Sequence, residues 1–246
     1  MDTAFAPDLS FNPNARIQAR YLGAEHQPLL VIDNVLSHPG DMVRYAVERA
    51  DFRSPPPGSY YPGLNGDLPA DYGPSLVRAL RPLLAKGFGI PENATMTHEG
   101  FFGLTTAAPG DLQPLQTIPH FDSSNPYRLA MVHYFCGAPY QGTAFFRHLP
   151  TAFESIDFRR FDAYRDQVEH ELATHDTPQA YVDRLTPRYQ QIDYVEAVFD
   201  RLAVYRTTSL HAAVMSGAEL SADPASGRLT ANSFIQAVAP LERDAF

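Results

Sequence analysis

The sequence predicts a mainly β fold with flanking helices, arranged as an antiparallel barrel or sandwich. Three observations support this prediction. The apolar segments are mostly short, as strands are. The 22 prolines and 15 glycines provide many turns between them. The chain has 246 residues, 44% of them hydrophobic, which is enough for a substantial core. We therefore expect residues 1–246 to form a single domain, since β barrels of this length are often one domain.

The first half of the chain is predicted to contain one buried strand and two helices. Residues 28–36 predict a buried strand that runs into a turn, since an apolar run through Ile32 is followed by Asp33 and Asn34. Residues 42–50 place apolar side chains at helical spacing, and residues 74–86 repeat that pattern with four leucines on one face. Two glycines follow and end the second helix. These helices are expected to pack against one side of the β structure.

From Thr95 onward, β-strand patterns dominate. The predicted strands cover residues 99–106, 128–136, 141–147, 194–199, 202–205 and 228–238. The polar segment between Met215 and Arg228 contains Gly and Asp-Pro, so it is predicted to connect two strands as a hairpin. The order of these segments favours antiparallel pairing.

Two irregular segments interrupt this pattern. Residues 53–73 are rich in Pro and Gly and contain Tyr60 and Tyr61. Such a loop could rim an active site or simply pack on the surface. Residues from about 151 to 190 are rich in charged and aromatic residues, and they predict one or two helices inserted between strands. The insertion could cover the mouth of the barrel or form a homodimer interface, and the sequence favours neither.

Composition excludes some classes of function. The formal net charge of −9 disfavours binding to the phosphate backbone of nucleic acids. No apolar run approaches the ~20 residues that span a bilayer, and the first 20 residues lack the apolar region of a secretory signal. The single cysteine, Cys136, cannot form an internal disulfide, so we expect a cytoplasmic protein.

One short motif points to a metal site. His120 and Asp122 stand two positions apart, and residues at that spacing on a strand project from the same face. With nine histidines in the chain, such a pair is weak evidence alone. A third candidate ligand, His211, lies far downstream. Two imidazoles and one carboxylate form the facial triad of non-haem Fe(II) oxygenases.

The order His120-x-Asp122, His211, Arg228-x-Thr230 resembles the Fe(II)- and 2-oxoglutarate-dependent dioxygenases, in particular their prolyl-hydroxylase-like branch. The resemblance covers roughly residues 29–238. It implies a double-stranded β-helix, which is a jelly-roll, cupin-like barrel. It also implies that His120, Asp122 and His211 bind catalytic iron.

The resemblance further implies a set of cosubstrate-binding residues. Arg228 would pair with the distal carboxylate of 2-oxoglutarate, assisted by Thr230. Tyr134 matches a tyrosine that hydrogen-bonds the same carboxylate, although a core tyrosine is nearly as plausible. The 17-residue gap from His211 to Arg228 is longer than the family's usual spacing, and the polar loop between them could absorb the difference.

The expected function is hydroxylation of an unactivated C–H bond in a small molecule, amino acid or peptide, with Fe(II) as cofactor and 2-oxoglutarate as cosubstrate. Two alternatives remain at this point. One is a cupin-type metalloprotein that acts without 2-oxoglutarate, and the other is a non-catalytic ligand-binding barrel. Neither nucleic acid nor membrane is an expected partner, a homodimer is left open, and the sequence does not identify the substrate.

Overall fold

The computed structural model describes residues 5–176, 178–215 and 220–238. Within these ranges the chain forms ten strands and three α-helices. The strands are β1 (Arg16–Leu22), β2 (Gln27–Asp33), β3 (Gly63–Gly66), β4 (Thr95–Thr105), β5 (Arg128–Tyr134), β6 (Thr143–His148), β7 (Tyr189–Val195), β8 (Arg201–Arg206), β9 (His211–Ala213) and β10 (Leu229–Val238). The helices are α1 (Gly40–Glu48), α2 (Tyr72–Phe88) and α3 (Phe161–Thr174).

The strands form two antiparallel sheets. The large sheet has seven strands in the order β1-β2-β8-β5-β10-β4-β3, and the small sheet has three in the order β7-β6-β9. The mainly β class is therefore confirmed. Over the described residues neither sheet closes on itself. The observed architecture is therefore two open antiparallel sheets, and a closed jelly-roll barrel is not shown.

The central strands of the large sheet are buried on both faces, and their side chains alternate between two cores. One face carries Ile32, Leu104 and Val204 and packs against α1 and α2 in the largest hydrophobic cluster. The other face carries Val31 and Tyr205, which pack in a second cluster with Phe145 and Val195 of the small sheet and their neighbours. The two sheets therefore face each other across a layer of side chains.

A third cluster lies on the outer face of the small sheet. Phe146 and Ala212 of that sheet pack there with Tyr164 and Val168 of α3. The order of layers is thus α1 and α2, the large sheet, the small sheet, and α3. None of the helices in the described part of the chain has the length and apolarity needed to cross a lipid bilayer.

Two details of the predicted second half are wrong. The predicted strand over residues 194–199 lies earlier, at Tyr189–Val195, where it pairs with β6. The predicted hairpin between Met215 and Arg228 is not one, because β9 pairs with β6 in the small sheet and β10 pairs with β4 and β5 in the large sheet. β9 and β10 therefore belong to different sheets, and residues 216–219 between them lie outside the described residues.

Candidate metal centre and its cavity

His120 and His211 are brought together by the backbone. The two residues form an isolated antiparallel bridge in which the His120 N–H donates to the His211 carbonyl at 2.9 Å and the His211 N–H donates to the His120 carbonyl at 2.8 Å. Their rings lie 4.4 Å apart between centroids. The two histidines of the predicted triad are therefore held side by side although 90 residues of chain separate them.

Asp122 completes the cluster. Its backbone N–H donates to the Thr207 carbonyl at 2.9 Å, which fixes the turn after His120. Its carboxylate oxygens lie 3.7 Å from Nε2 of His120 and 3.6 Å from Nε2 of His211. All three potential donor atoms lie within 4.8 Å of one another, close enough to hold one metal ion.

The protonation states of the cluster suit a cation. Burial lowers the pKa of His211 to about 4. The pKa of His120 is also lowered to about 4, by desolvation in the cavity and then by repulsion from His211, although its side chain is 51% exposed. The Nδ1–H of His211 donates to the Ser209 carbonyl at 2.9 Å, which leaves the Nε2 lone pair free for a metal. Burial raises the pKa of Asp122 to about 6, a cost that a bound cation would remove.

The cluster lies in a cavity of about 540 Å³, within the range of small-ligand sites. Side chains of the large sheet's inner face form one wall. Further lining residues come from the loop at residues 59–62, from β9, and from α3 with the segment after it. Tyr164 and Val168 of α3 and Tyr181 and Val182 beyond it belong to this last group. The insertion at about residues 151–190 therefore contributes one helix and part of the cavity wall.

Arg228 lies in the same cavity and is only 3% exposed. Its guanidinium donates to the backbone carbonyls of Gln141 at 3.0 Å and Gly142 at 3.3 Å, and it lies 3.5 Å from the Thr105 hydroxyl. Among the described residues no carboxylate lies within salt-bridge distance of it. A buried cation held only by neutral oxygens is costly, so this end of the cavity favours an anion.

Thr230 and Tyr134 lie directly behind this end of the cavity. They pair across β10 and β5 and are both fully buried. The Tyr134 hydroxyl lies 2.6 Å from the hydroxyl of Thr143, and Thr143 lines the cavity. The Thr230 hydroxyl donates to the Gly103 carbonyl and accepts from the Asn232 amide. The structure places the two residues near Arg228, and their contact with 2-oxoglutarate stays a prediction.

Three cavity residues were not singled out as binding residues from the sequence. Tyr61 comes from the Pro/Gly-rich loop and lies 3.2 Å, hydroxyl to hydroxyl, from Thr105 of β4. Thr105 itself is the second of these residues, and Thr143 of β6 is the third. The loop composition hinted at Tyr61, whereas ordinary threonines on strands carry no local signal of a site. The Thr105 hydroxyl lies beside the guanidinium with the Tyr61 hydroxyl next to it, and Thr143 lines the same cavity.

Comparison with known families places the chain in a family whose function is unknown. A model described as a family of unknown function, DUF6445, matches residues 13–235. Because the match covers most of the chain, the protein belongs to this family. None of the curated proteins matches the chain.

Proposed function

We propose that this member of the DUF6445 family is a non-haem Fe(II)- and 2-oxoglutarate-dependent dioxygenase built on a double-stranded β-helix. The observation that carries the proposal is the presence of the cluster of His120, Asp122 and His211 in one cavity with the buried Arg228. The cluster supplies a metal site and Arg228 supplies an anion site. A cosubstrate that chelates the metal and ends in a carboxylate matches both.

The donor set fits Fe(II). Two imidazoles and one carboxylate leave further coordination positions open for small molecules. When bound, iron with 2-oxoglutarate and dioxygen supplies the oxidising chemistry that hydroxylates a C–H bond, with succinate and carbon dioxide as the other products. The protein's own contribution is to hold these groups in place and keep them away from water.

Arg228 would position the cosubstrate through its distal carboxylate. A guanidinium can hold a carboxylate with two parallel hydrogen bonds, and such charge-assisted pairs are among the strongest polar contacts in proteins. The hydroxyls of Thr105 and Tyr61 lie beside the guanidinium and can donate to the same carboxylate. This arrangement supports a diacid over a neutral ligand at the inner end.

Neighbouring rings keep the metal-binding imidazole in place. Tyr205 packs edge-on against His211 with centroids 4.8 Å apart, and Phe145 lies on another side at 6.4 Å. Both rings are almost fully buried. A packed second layer of this kind holds a ligand's rotamer and excludes water from that side of the site.

The two antiparallel sheets support the double-stranded β-helix as the finer description of the fold. Their inner faces share one hydrophobic cluster, and the metal-site candidates lie between them. A cupin-type metalloprotein that acts without 2-oxoglutarate would share these features. Arg228 distinguishes the two, because a protein with no diacid cosubstrate has no use for a buried cation at the inner end.

Calorimetric titration tests the proposal against both alternatives. Mn(II) is titrated into metal-free protein first, and 2-oxoglutarate is then titrated with and without Mn(II). We expect one Mn(II) per chain and 2-oxoglutarate binding that Mn(II) strengthens. Mn(II) binding without any 2-oxoglutarate binding would favour the cupin-type alternative, and binding of neither would favour a non-catalytic barrel.

A further inference from the structure

The cavity-lining face of the large sheet changes character from one end to the other. Arg228 lies at the start of β10, and the strand register carries the lining outward through Asn232 and Phe234. At the outer end, Arg128 of β5 pairs with Gln236 and also lines the cavity. Two arginines therefore lie at opposite ends of this face, and His120, Asp122 and His211 line the same cavity.

The middle of this face is apolar. Phe101, Val132 and Phe234 project into the cavity from three adjacent strands and are partly buried there. Ile118 and Phe121 add apolar surface next to His120. A substrate that passes the metal cluster must lie against this belt, so an apolar body is expected there.

The charges of the cavity indicate the other part of the substrate. Apart from His120, Asp122 and His211, the charged side chains that line the cavity in the described part of the chain are Arg228 and Arg128. If 2-oxoglutarate occupies the Arg228 end, as the proposed function requires, Arg128 is left to meet the substrate. The whole chain carries a net charge of −9, so a cationic outer end reflects local chemistry and not the average composition.

Arg128 has spare capacity for a ligand. Its guanidinium forms an ion pair with Glu99, whose side chain is 65% exposed, and exposed pairs of this kind contribute little stability. The guanidinium also lies over the ring of Phe234, 5.1 Å from its centroid, which holds it beside the apolar belt. Because a guanidinium has five N–H donors, it can bind a second anion while it keeps Glu99.

Arg128 also lies at a useful distance from the metal cluster. The Thr207 N–H donates to the Arg128 carbonyl at 3.1 Å, and the Thr207 carbonyl accepts from the Asp122 N–H at 2.9 Å. One segment of backbone therefore lies between Arg128 and Asp122, so their backbones are two strand spacings, or about 10 Å, apart. If a ligand binds Arg128 through its anionic group, the ligand atoms a few bonds from that group would lie beside the metal cluster.

We propose that the substrate is a small amphipathic acid. Its anionic group binds Arg128 at the outer end of the cavity, and its apolar body lies against Phe101, Val132 and Phe234 next to the metal cluster. Arg128 is the specificity-determining residue of this arrangement, since it is the side chain that distinguishes an acid from a neutral or cationic molecule of the same shape. The carbon presented to the cluster belongs to the apolar body.

The test uses four probes with the same alkyl chain: octanoate, octyl phosphate, octan-1-ol and octylamine. Each is titrated by calorimetry into the full chain with Mn(II) and saturating 2-oxoglutarate, which keeps the Arg228 end occupied. We expect octanoate or octyl phosphate to bind roughly tenfold or more tightly than the alcohol, because a charged hydrogen bond is gained. The tighter of the two identifies the head group. Equal or tighter binding of the alcohol or the amine overturns the proposal.

Three variants make the test specific. Arg128→Gln should remove the advantage of the anionic probe, and Arg128→Lys should keep part of it. Arg53→Gln is the matched control, because Arg53 forms exposed ion pairs with Asp51 and Asp67 and does not line the cavity. Anion binding by Arg128→Gln within twofold of wild type overturns the proposal. So does a loss that appears with Arg228→Gln instead of Arg128→Gln.

The variant Glu99→Gln provides a second measurement of anion affinity in which Arg128 itself is unchanged. It releases the guanidinium from its ion pair, so the anionic probe should bind up to about fivefold more tightly. Weaker binding of the anionic probe by this variant contradicts the role of Arg128. Failure of the proposed function is distinguishable, because it would appear as absent Mn(II) or 2-oxoglutarate binding. Dependence on Arg128 can still be measured in metal-free Arg228→Gln protein, in which the inner end no longer offers a cation to the probe.

Discussion

His120 and His211 exchange both backbone hydrogen bonds of an antiparallel bridge, at 2.9 and 2.8 Å, and their rings lie 4.4 Å apart. The bridge fixes the spacing of the two imidazoles through main-chain atoms. Each side chain can therefore be replaced without removing the contact that positions the other. This makes single substitutions at the cluster informative about metal binding and not only about folding.

The first prediction concerns metal binding. His120→Ala and His211→Ala should each weaken Mn(II) binding at least about 100-fold, because a three-ligand site loses one of its protein ligands. Equilibrium dialysis against Mn(II) measures this loss. His170→Ala is the control, since His170 lies on the exposed surface of α3. Unchanged Mn(II) affinity in both cluster variants would show that the metal binds elsewhere.

The second prediction concerns Arg228. Arg228→Gln should weaken 2-oxoglutarate binding about 30-fold or more, because loss of a charged partner in a closed site typically costs ~2–5 kcal/mol. Calorimetry with Mn(II)-loaded protein measures the change, and Mn(II) affinity should stay near wild type. Arg53→Gln again serves as the control. An affinity for 2-oxoglutarate within threefold of wild type would remove Arg228 from the cosubstrate site.

The third prediction concerns pH. All three ligands must be deprotonated to bind a metal. Burial raises the pKa of Asp122 to about 6 and lowers the pKa of His120 and His211 to about 4. Above about pH 6 the Asp122 carboxylate is ionised and both imidazoles are neutral, so the metal affinity is constant there. Between pH 6 and 4 only Asp122 must release a proton when the metal binds. The metal affinity should therefore fall tenfold for each unit by which the pH is lowered.

The slope in that window is the diagnostic quantity. If both imidazoles had ordinary pKa values near 6.5, two protons would have to be released below that pH. The metal affinity would then fall about a hundredfold per pH unit over most of the range from pH 6 to 4. Mn(II) titrations at several pH values between 4 and 7 measure the slope. In Asp122→Asn the dependence between pH 6 and 4 should disappear, although binding is weaker overall. A hundredfold fall per unit in the wild type would contradict these protonation states.

The fourth prediction concerns a buried polar network on the α2 side of the large sheet. The Tyr72 hydroxyl lies 2.9 Å from Nδ1 of His133, whose Nε2 lies 2.9 Å from an oxygen of Asp200. Burial lowers the pKa of His133, although Asp200 opposes that effect. A neutral ring that donates to Asp200 leaves Nδ1 to accept from Tyr72. Tyr72→Phe should therefore cost about 1–3 kcal/mol, because it leaves a buried acceptor unpaired.

Urea unfolding measures that cost. Tyr45→Phe is the matched control, because the Tyr45 ring packs against Phe102 and its hydroxyl forms no hydrogen bond with any described residue. Metal affinity should be unchanged in both variants, since neither residue lines the cavity. Equal unfolding free energies for the two variants would show that the Tyr72 hydroxyl contributes nothing to the network.

The local pattern of apolar and polar residues is sufficient to predict most strands, and β10 is an example. Its residues alternate between the two faces of one buried sheet, so the period is visible in the sequence: the predicted strand over residues 228–238 is Leu229–Val238. The position of β7 is hard to predict because Gln190 and Gln191 interrupt its apolar alternation, and its pairing with β6 contains an irregularity between Phe145 and Phe146. Only that long-range pairing identifies it as a strand.

The candidate site divides in the same way. His120, Asp122 and His211 could be selected because two stand in a short motif and their side chains are typical metal ligands. Tyr61, Thr105 and Thr143 are ordinary residues on separate segments, and they meet only when the sheets pack. The cationic outer end at Arg128 was equally hidden, because the sequence gives only the net charge of the whole chain.

The most direct test of the central claim measures 2-oxoglutarate turnover by the Fe(II)-loaded protein in the presence of dioxygen. Succinate is quantified against 2-oxoglutarate consumed, with wild type, His211→Ala and Arg228→Gln compared at equal protein concentration. We expect slow one-to-one conversion by the wild type, which is lost in His211→Ala and requires far more 2-oxoglutarate in Arg228→Gln. Iron bound at the cluster with no conversion of 2-oxoglutarate at any concentration would contradict it.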